Sequence, residues 1–539
     1  MAPPILREST NKRACTIEQY NAGKDLFNVV ARGLPRPWPS AIGVSSEKVS
    51  SLKGTPKQFR VNDQIFEITT KYGVDQEGIS VYWTYRIGHR GHGVDTWTIR
   101  CRGNDPRNYK AAALEVQQVL IAAGMPRNDF NVQFTNSRLA YRDESYAIPD
   151  DPSLIGTIED IQPKVLQMVR EQLPRTWTSI AYHMRGKMNC EPKEMKPTVV
   201  VFCKPNSKLN WSMVEAKIVS TLQSKDHPEI AFHLELLPGQ VERATPSFIT
   251  DIQDYQSVGY CLNLTEQPKN DSSIGINDEE FKTACTLGGW MKLDFSDGRS
   301  VDCVLTTYDT VRNGDRHNRA LNDYNGVSLD GRLPLSSIKV IYPAPMDLEA
   351  SKNLIPAIAR QENGPPIGEA QALDLLDQLS KRGIGRVALT DSPSTFQRNI
   401  APYFGQQNWG LHLDYKVKEG DFIQSISSYQ PGERVTHRGR STCGHARVGR
   451  LKRYIHWGDG EESHEDELFG EPGCVGQSIN FAYRGDVGSW VVNQDGELVG
   501  ILSAIDIWTG SRTRSAFITP IHEIVEDIEK RTGGKISLP

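Results

Sequence analysis

The stretch from Gly485 to Trp490 carries the residue types of a catalytic turn, so the search for chemistry begins there. Its order is Gly-Asp-Val-Gly-Ser-Trp, and two apolar runs separated by an Asp-Gly pair follow it. Glycines allow a tight turn and aliphatic residues fill buried strands, so we expect a turn, a strand, a hairpin and a second strand. Ser489 supplies a hydroxyl, and the backbone N–H groups of Gly485 and Val487 could bind a developing oxyanion.

This stretch resembles the nucleophile region of the chymotrypsin-fold (trypsin-like) serine proteases, in which Gly-Asp-Ser-Gly precedes the same hairpin. The family's serine falls at Val487, which has no hydroxyl and cannot attack a carbonyl. The family's catalytic histidine falls at Asp309, after an apolar strand and two threonines. The aspartate that orients this histidine falls at Asn408, within Gln-Asn-Trp-Gly-Leu.

These three replacements remove the chemistry of the triad. Aspartate has an unperturbed pKa of about 3.9 and lacks the two-sided acid–base function of an imidazole. Asparagine can orient a ring by hydrogen bonding but cannot stabilise an imidazolium by charge. With Asp309, Asn408 and Val487 in chain order at the family's catalytic positions, the resemblance implies a pseudoprotease without an intact active site.

Other groups leave an active hydrolase open as the alternative. Ser489 lies two residues beyond Val487, on the same side of an extended strand, so it is the candidate for a relocated nucleophile. The candidate bases are histidines that follow no triad-like signal, namely His437, His445, His456 and His464. The acidic run at 459–467 is expected to be a solvated loop, with binding of a cation or of a basic partner as the alternative. We expect no metal site and no cofactor.

The resemblance covers about half of the chain and implies a double β-barrel with a C-terminal helix. Residues 435–442 and 446–449 resemble the strand pair that precedes the nucleophile loop. The helix is expected at 522–531, with an apolar stripe that includes Ile524 and Ile528. A further helix at 369–381 is expected to be an insertion between strands.

The N-terminal half is expected to contain an internal repeat of about 100 residues. Each copy has a Trp-containing strand, a second strand, a helix and a third strand, with the helices at 109–124 and 211–224. Two strand–helix–strand units favour a pseudo-symmetric α/β layer. No phosphate-binding loop, acid pair or metal spacing is present in them, so we expect a folding or docking module. Before the repeat, Thr16 is expected to cap a helix at 17–32.

Length and composition limit the class of protein. With 539 residues, of which 38% are hydrophobic, the chain can form several domains with apolar cores. The net charge of -4 does not favour a nucleic-acid partner. No signal peptide or long apolar run is present, so we expect no membrane span and an intracellular, cytoplasmic protein. The nine cysteines, with no CxxC pair, are then expected to be reduced thiols.

The expected fold class is multidomain α+β. The domains, in chain order, are an N-terminal helix and linker (1–56), a duplicated strand–helix–strand module (57–242), a connector (243–278), a trypsin-like double β-barrel (279–533) and a tail (534–539).

Two functions of different class follow from the sequence. The first is a non-catalytic protease homologue that binds a protein or peptide and acts as a scaffold. The alternative is an active serine-type endopeptidase, or another hydrolase, with a relocated site. A protein or peptide partner is expected, and the oligomeric state stays open.

Overall fold

The structure is a computed structural model that resolves the chain into two compact units. The first unit comprises Met1–Gln240, Ile455–Glu461 and Trp508–Arg512, and the second comprises Val241–Tyr454, Glu462–Ile507 and Thr513–Pro539. The residues that the structure describes are 14–30, 42–45, 56–86, 93–126, 129–136, 139–140, 143–187, 190–222, 230–243, 272–276, 284–307, 309–312, 339–345, 347–349, 352, 383–386, 423, 425–440, 443–457, 460–470, 481–482, 485–506 and 515–539.

The first unit combines helices with two larger sheets. Its elements, in chain order, are β1 (Cys15–Thr16), α1 (Ile17–Lys24), β2 (Asn28–Val30), β3 (Ile42–Ser45), α2 (Pro56–Lys71), β4 (Gln76–Arg86), β5 (Val94–Cys101), α3 (Tyr109–Ala122), β6 (Phe130–Thr135), β7 (Asp143–Tyr146), α4 (Pro152–Gln172), β8 (Trp177–Lys187), β9 (Lys196–Cys203), β10 (Lys208–Leu209), α5 (Trp211–Val219) and β11 (His233–Pro238). One sheet has the strand order β2-β6-β5-β4-β3, and the other has the order β7-β8-β9-β11.

Both sheets contain a strand–helix–strand crossover. Helix α3 connects the parallel strands β5 and β6, and α5 connects the parallel strands β9 and β11. Asp95 pairs with Phe130 and Thr198 pairs with His233, so the two crossovers span the same number of residues. Strands β4 and β8 also both carry an irregularity beside their first residue. A duplication would produce this agreement, and the duplication itself stays a prediction.

Helix α1 is shorter than the sequence predicted. The Thr16 hydroxyl accepts a hydrogen bond from the Gln19 N–H, and the Gln19 side chain accepts one from the Thr16 N–H, which completes a capping box. The helix ends at Lys24, and strand β2 begins four residues later, at Asn28. Pairing with β6 satisfies the backbone of β2, and such a long-range partner cannot be identified from local sequence.

The second unit is mostly β. Its elements are β12 (Val241–Arg243), β13 (Ser273–Ile276), β14 (Cys285–Thr286), β15 (Gly289–Phe295), β16 (Ser300–Leu305), α6 (Asp309–Arg312), β17 (Lys339–Ile341), β18 (Gly383–Arg386), β19 (Arg434–Arg438), β20 (Cys443–His456), β21 (Glu462–Gly470), β22 (Trp490–Asn493), β23 (Leu498–Asp506), β24 (Ala516–Pro520), α7 (Ile521–Thr532) and β25 (Gly534–Ser537). Among the described helices of either unit, none has both the length and the hydropathy needed to cross a bilayer.

Six strands of the second unit form a closed barrel. Their order is β20-β19-β22-β23-β24-β21, and β21 pairs back with β20. Apolar side chains fill its interior, among them Val435, Val448, Leu468, Val491 and Ile518. Closure pairs every strand on both sides and fixes which residues point inward. The register of β22 therefore determines where the turn before it can lie.

The N-terminal part of the second unit forms two open sheets in the described residues. Their orders are β14-β13-β17-β18 and β16-β15-β25, so β25 is a paired strand within the segment expected to be a tail. Helix α7 packs Ile524 and Ile528 against a cluster that includes Met291 and Trp490. One closed barrel is present in the described residues, and the double barrel stays a prediction. The helix expected at 369–381 lies outside them.

Candidate functional site

The turn expected from the sequence lies directly before β22. Gly485 and Gly488 have φ angles of 95° and 96°, in the left-handed region that favours glycine. The Gly488 N–H donates to the Leu502 carbonyl at 2.8 Å, and the Leu502 N–H donates to the Ser489 carbonyl at 3.0 Å. These bonds fix the turn against β23 immediately before the β22–β23 pairing begins.

Val487 is a core residue of the barrel. Its side chain is 1% exposed and packs in the apolar cluster that contains Val435, Val491 and Leu502. Its carbonyl accepts a hydrogen bond from the Thr286 N–H at 3.3 Å. The position that aligns with the protease nucleophile therefore holds an apolar side chain turned into the protein.

Thr286 joins this turn to the start of α6. Its hydroxyl donates to the Gly485 carbonyl at 2.7 Å and accepts from the Arg440 N–H at 2.9 Å. Its carbonyl accepts from the Thr306 hydroxyl at 3.0 Å. Thr306 directly follows β16, in the segment that leads to Asp309. One buried residue thus contacts both segments that the sequence aligned with catalytic positions.

The other two aligned positions are less fully described. Asp309 begins α6, after β16 ends at Leu305, so the expected strand precedes this position and a short helix that the sequence did not predict begins at it. The side chain of Asp309 is outside the described atoms. Asn408 lies outside the described residues altogether. The loss of the triad at these two positions stays a prediction.

The structure places an imidazole beside the candidate hydroxyl. His437 Nδ1 lies 3.1 Å from Ser489 Oγ, and His437 Nε2 lies 2.6 Å from the Phe481 carbonyl oxygen. Because a carbonyl oxygen can only accept, Nε2 carries the proton of the neutral ring. Nδ1 is then an acceptor, and the Ser489 hydroxyl donates to it. This is the protonation state that a general base requires.

The electrostatic environment keeps His437 neutral. Burial lowers the pKa of the imidazole below its ordinary value, while the Asp486 carboxylate and the hydrogen bond to the Phe481 carbonyl oppose this shift. The Phe481 ring also contacts the imidazole edge to face, with ring centroids 4.4 Å apart. The ring is therefore held in one orientation and one tautomer.

The pair formed by Ser489 and His437 has almost no access to solvent. The Ser489 side chain is 0% exposed and that of His437 is 2% exposed. A carbonyl substrate must approach the hydroxyl to within about 3–3.5 Å before attack. In this conformation the pair is enclosed by the barrel, so it acts as a buried hydrogen bond between β19 and the turn.

Sequence reasoning included His437 only as one of several candidate bases. The alternation of β19 gave a usable signal, because Val435 and His437 share a face and Val435 is buried. The missing information was register: His437 pairs with Val491 of β22, and Ser489 lies two residues before Val491, directly ahead of that strand. Register between strands so distant in sequence cannot be read from local composition.

The backbone donors expected at the turn are the N–H groups of Gly485 and Val487. Among the described residues, none accepts a hydrogen bond from the N–H of Gly485 or of Val487, whereas both of their carbonyls are bonded to Thr286. Two N–H groups that have no acceptor in the described part of the chain, near a glycine turn, are the donors that an oxyanion or carboxylate would use. Their use by a ligand stays a prediction.

The other candidate bases lie elsewhere. The His464 ring packs on that of Tyr454, with ring centroids 4.0 Å apart. His456 and Trp177 both belong to the first unit, and their ring centroids lie 5.0 Å apart. Residues 462–467 of the acidic run lie in β21 rather than in the expected loop, since β21 pairs with β24, and Asp466 also pairs with Lys452 at 3.1 Å. In the part of the chain that the structure describes, no three His, Cys, Asp or Glu residues are grouped as metal ligands.

Comparisons with known proteins give similarities only among solved structures. No family model matches the chain, and no curated protein matches it. A glutamic acid-specific serine protease, described as using a novel histidine triad in substrate binding, is 11% identical with a TM-score of 0.26. The match covers 50% of this chain and 100% of that protein.

Two further structures belong to the same comparison. Protease A of Thermobifida fusca is 12% identical over 50% of this chain and 98% of its own, with a TM-score of 0.27. A chymotrypsin of Cellulomonas bogoriensis is 15% identical over 22% of this chain and 56% of its own, with a TM-score of 0.17. Similarities this distant establish neither an activity nor a substrate for this chain.

The turn geometry predicts a specific cost for a methyl group at Gly488. A Cβ there would lie 2.7 Å from the Thr286 carbonyl oxygen, whereas a Cβ at Gly298, which also has positive φ, would meet nothing within 4 Å. We expect Gly298→Ala to lower the free energy of unfolding by about 1 kcal/mol, from backbone strain alone. Gly488→Ala should cost about 3 kcal/mol or more, since strain and overlap combine. Urea unfolding measures both, and equal losses would contradict the close approach to Thr286.

Proposed function

We propose that this chain is a non-catalytic trypsin-like protease homologue that binds a protein or peptide. The observation that carries the proposal is Val487, a buried side chain without a nucleophilic atom at the turn before β22. The N–H groups of Gly485 and Val487, which have no acceptor among the described residues, support it further, because they can donate to a carbonyl or carboxylate of a bound peptide without cleaving it. The first unit would serve as a docking module, and an intracellular location stays a prediction.

A second candidate is supported by one contact. Ser489 donates to His437 in the tautomer that a general base uses, so a hydrolase with a relocated nucleophile is the alternative. Complete burial of both side chains favours the binding function. The alternative requires the turn to open and admit a substrate before any acyl transfer to Ser489.

Peptide selection tests the binding function. We expect a displayed library of 12-residue peptides to yield ligands that are recovered uncut by mass spectrometry. Thr306→Val removes the bond to the Thr286 carbonyl and should weaken peptide binding about fivefold, measured by fluorescence anisotropy. Thr532→Val removes a similar bond to Ile528 in α7 and should leave binding unchanged. Recovery of peptide fragments, or equal weakening in both variants, would contradict binding at this turn.

An activity-based probe separates the two candidates. We expect a fluorophosphonate–rhodamine probe to label the native protein no more than its heat-denatured control, because Ser489 is enclosed. Ser489→Ala should give the same signal, and trypsin serves as the positive control. Labelling of the native protein above background, with the adduct mapped to Ser489 by peptide mass spectrometry, would support the hydrolase instead. Because the adduct is mapped on the native protein, this result does not depend on whether the Ser489→Ala variant folds.

A further inference from the structure

The contact between β19 and the turn depends on the charge state of one ring. His437 donates from Nε2 to the Phe481 carbonyl and accepts at Nδ1 from the Ser489 hydroxyl, so a single neutral imidazole uses both nitrogens. The bond to Ser489 joins β19 to the turn at 485–489. The bond to Phe481 joins β19 to the segment before that turn.

A proton on Nδ1 changes both the bonding and the charge of this contact. The nitrogen becomes a donor, so the Ser489 hydroxyl would have to rotate and accept. The hydroxyl proton then has no other acceptor among the described residues. The ring would also carry a positive charge where only 2% of the side chain is exposed. Opening of the turn relieves both costs, because water can then solvate the imidazolium and the hydroxyl.

The surroundings of the ring offer limited compensation. On the neighbouring strands His437 pairs with Gly444 of β20 and Val491 of β22, neither of which is ionisable. The charged group that acts on the imidazole is the buried Asp486 carboxylate in the turn, which favours the protonated form. His445 of β20 pairs with Thr436, one position away, and so belongs to the opposite face of the strand.

We propose that His437 and Ser489 form an acid-sensitive latch, in which protonation of the imidazole releases the turn at 485–489 from β19. The release would occur whether or not the chain binds peptides. Only its consequence, a change in the peptide-binding surface at Gly485 and Val487, rests on the function proposed above. Because the buried ring gains its proton less readily than a solvated one, the closed turn is favoured above about pH 6.5 and is progressively lost below it.

Hydrogen exchange measured at pH 7.0 and pH 5.5 tests the latch on the full chain. After correction for intrinsic exchange rates, the protection of peptides covering 485–502 should fall at the lower pH by up to about tenfold, since each pH unit below 6.5 raises the open fraction by at most tenfold. Peptides from β9, in the first unit, provide the internal reference.

Three variants complete the test. His437→Gln keeps a donor for the Phe481 carbonyl, and His437→Asn keeps an acceptor for the Ser489 hydroxyl. Neither side chain gains a proton in this pH range, so in both variants the pH response at 485–502 should shrink to less than about twofold. His183→Gln is the matched control, because His183 is also buried and lies 2.8 Å from the Ser145 hydroxyl in the first unit. It should keep the response of the native protein. An unchanged protection in the native protein, or an equal response in all four proteins, would overturn the latch.

Discussion

The hydrogen bonds of Thr286 are the constraint on which the geometry of the candidate site depends. Its hydroxyl and N–H use the carbonyls of Gly485 and Val487, while its own carbonyl receives the Thr306 hydroxyl. A buried backbone group that lost such a partner would cost about 1–3 kcal/mol, so the arrangement resists rearrangement. In the described residues the N–H groups of Gly485 and Val487 have no acceptor, whereas both of their carbonyls are bonded to Thr286.

The enclosed pair of Ser489 and His437 gives the site its ambiguous chemistry. A neutral ring that accepts the Ser489 hydroxyl at Nδ1 over 3.1 Å has the protonation state of a base beside a nucleophile, yet both side chains are almost completely buried. A buried hydroxyl and imidazole that satisfy each other also stabilise a fold, because leaving either alone would be costly. The same atoms therefore fit a structural bond in the closed conformation and a reactive pair only in an open one. Solvent access is the variable that separates these roles.

The sequence identified the turn, the hairpin and the apolar position Val487, because glycine and strand patterns are local signals. It also placed α7 within one residue at each end, since an apolar stripe and Pro520 define that helix. It extended α1 too far because β2 depends on a partner more than a hundred residues away. His437 was found only as one of several histidines, since its role follows from barrel register. Asn408 and the expected insertion helix lie outside the described residues.

Nitrogen-15 NMR of histidine-labelled protein tests most directly the central claim, that His437 is a closed, neutral structural contact. The account predicts an Nε2–H tautomer that exchanges slowly with water, assigned by its loss in His437→Gln, with a pKa below the ordinary value near 6.5. A His437 signal that exchanges rapidly and titrates at or above 6.5 would contradict the enclosed pair. Such a signal would instead describe an accessible base beside Ser489.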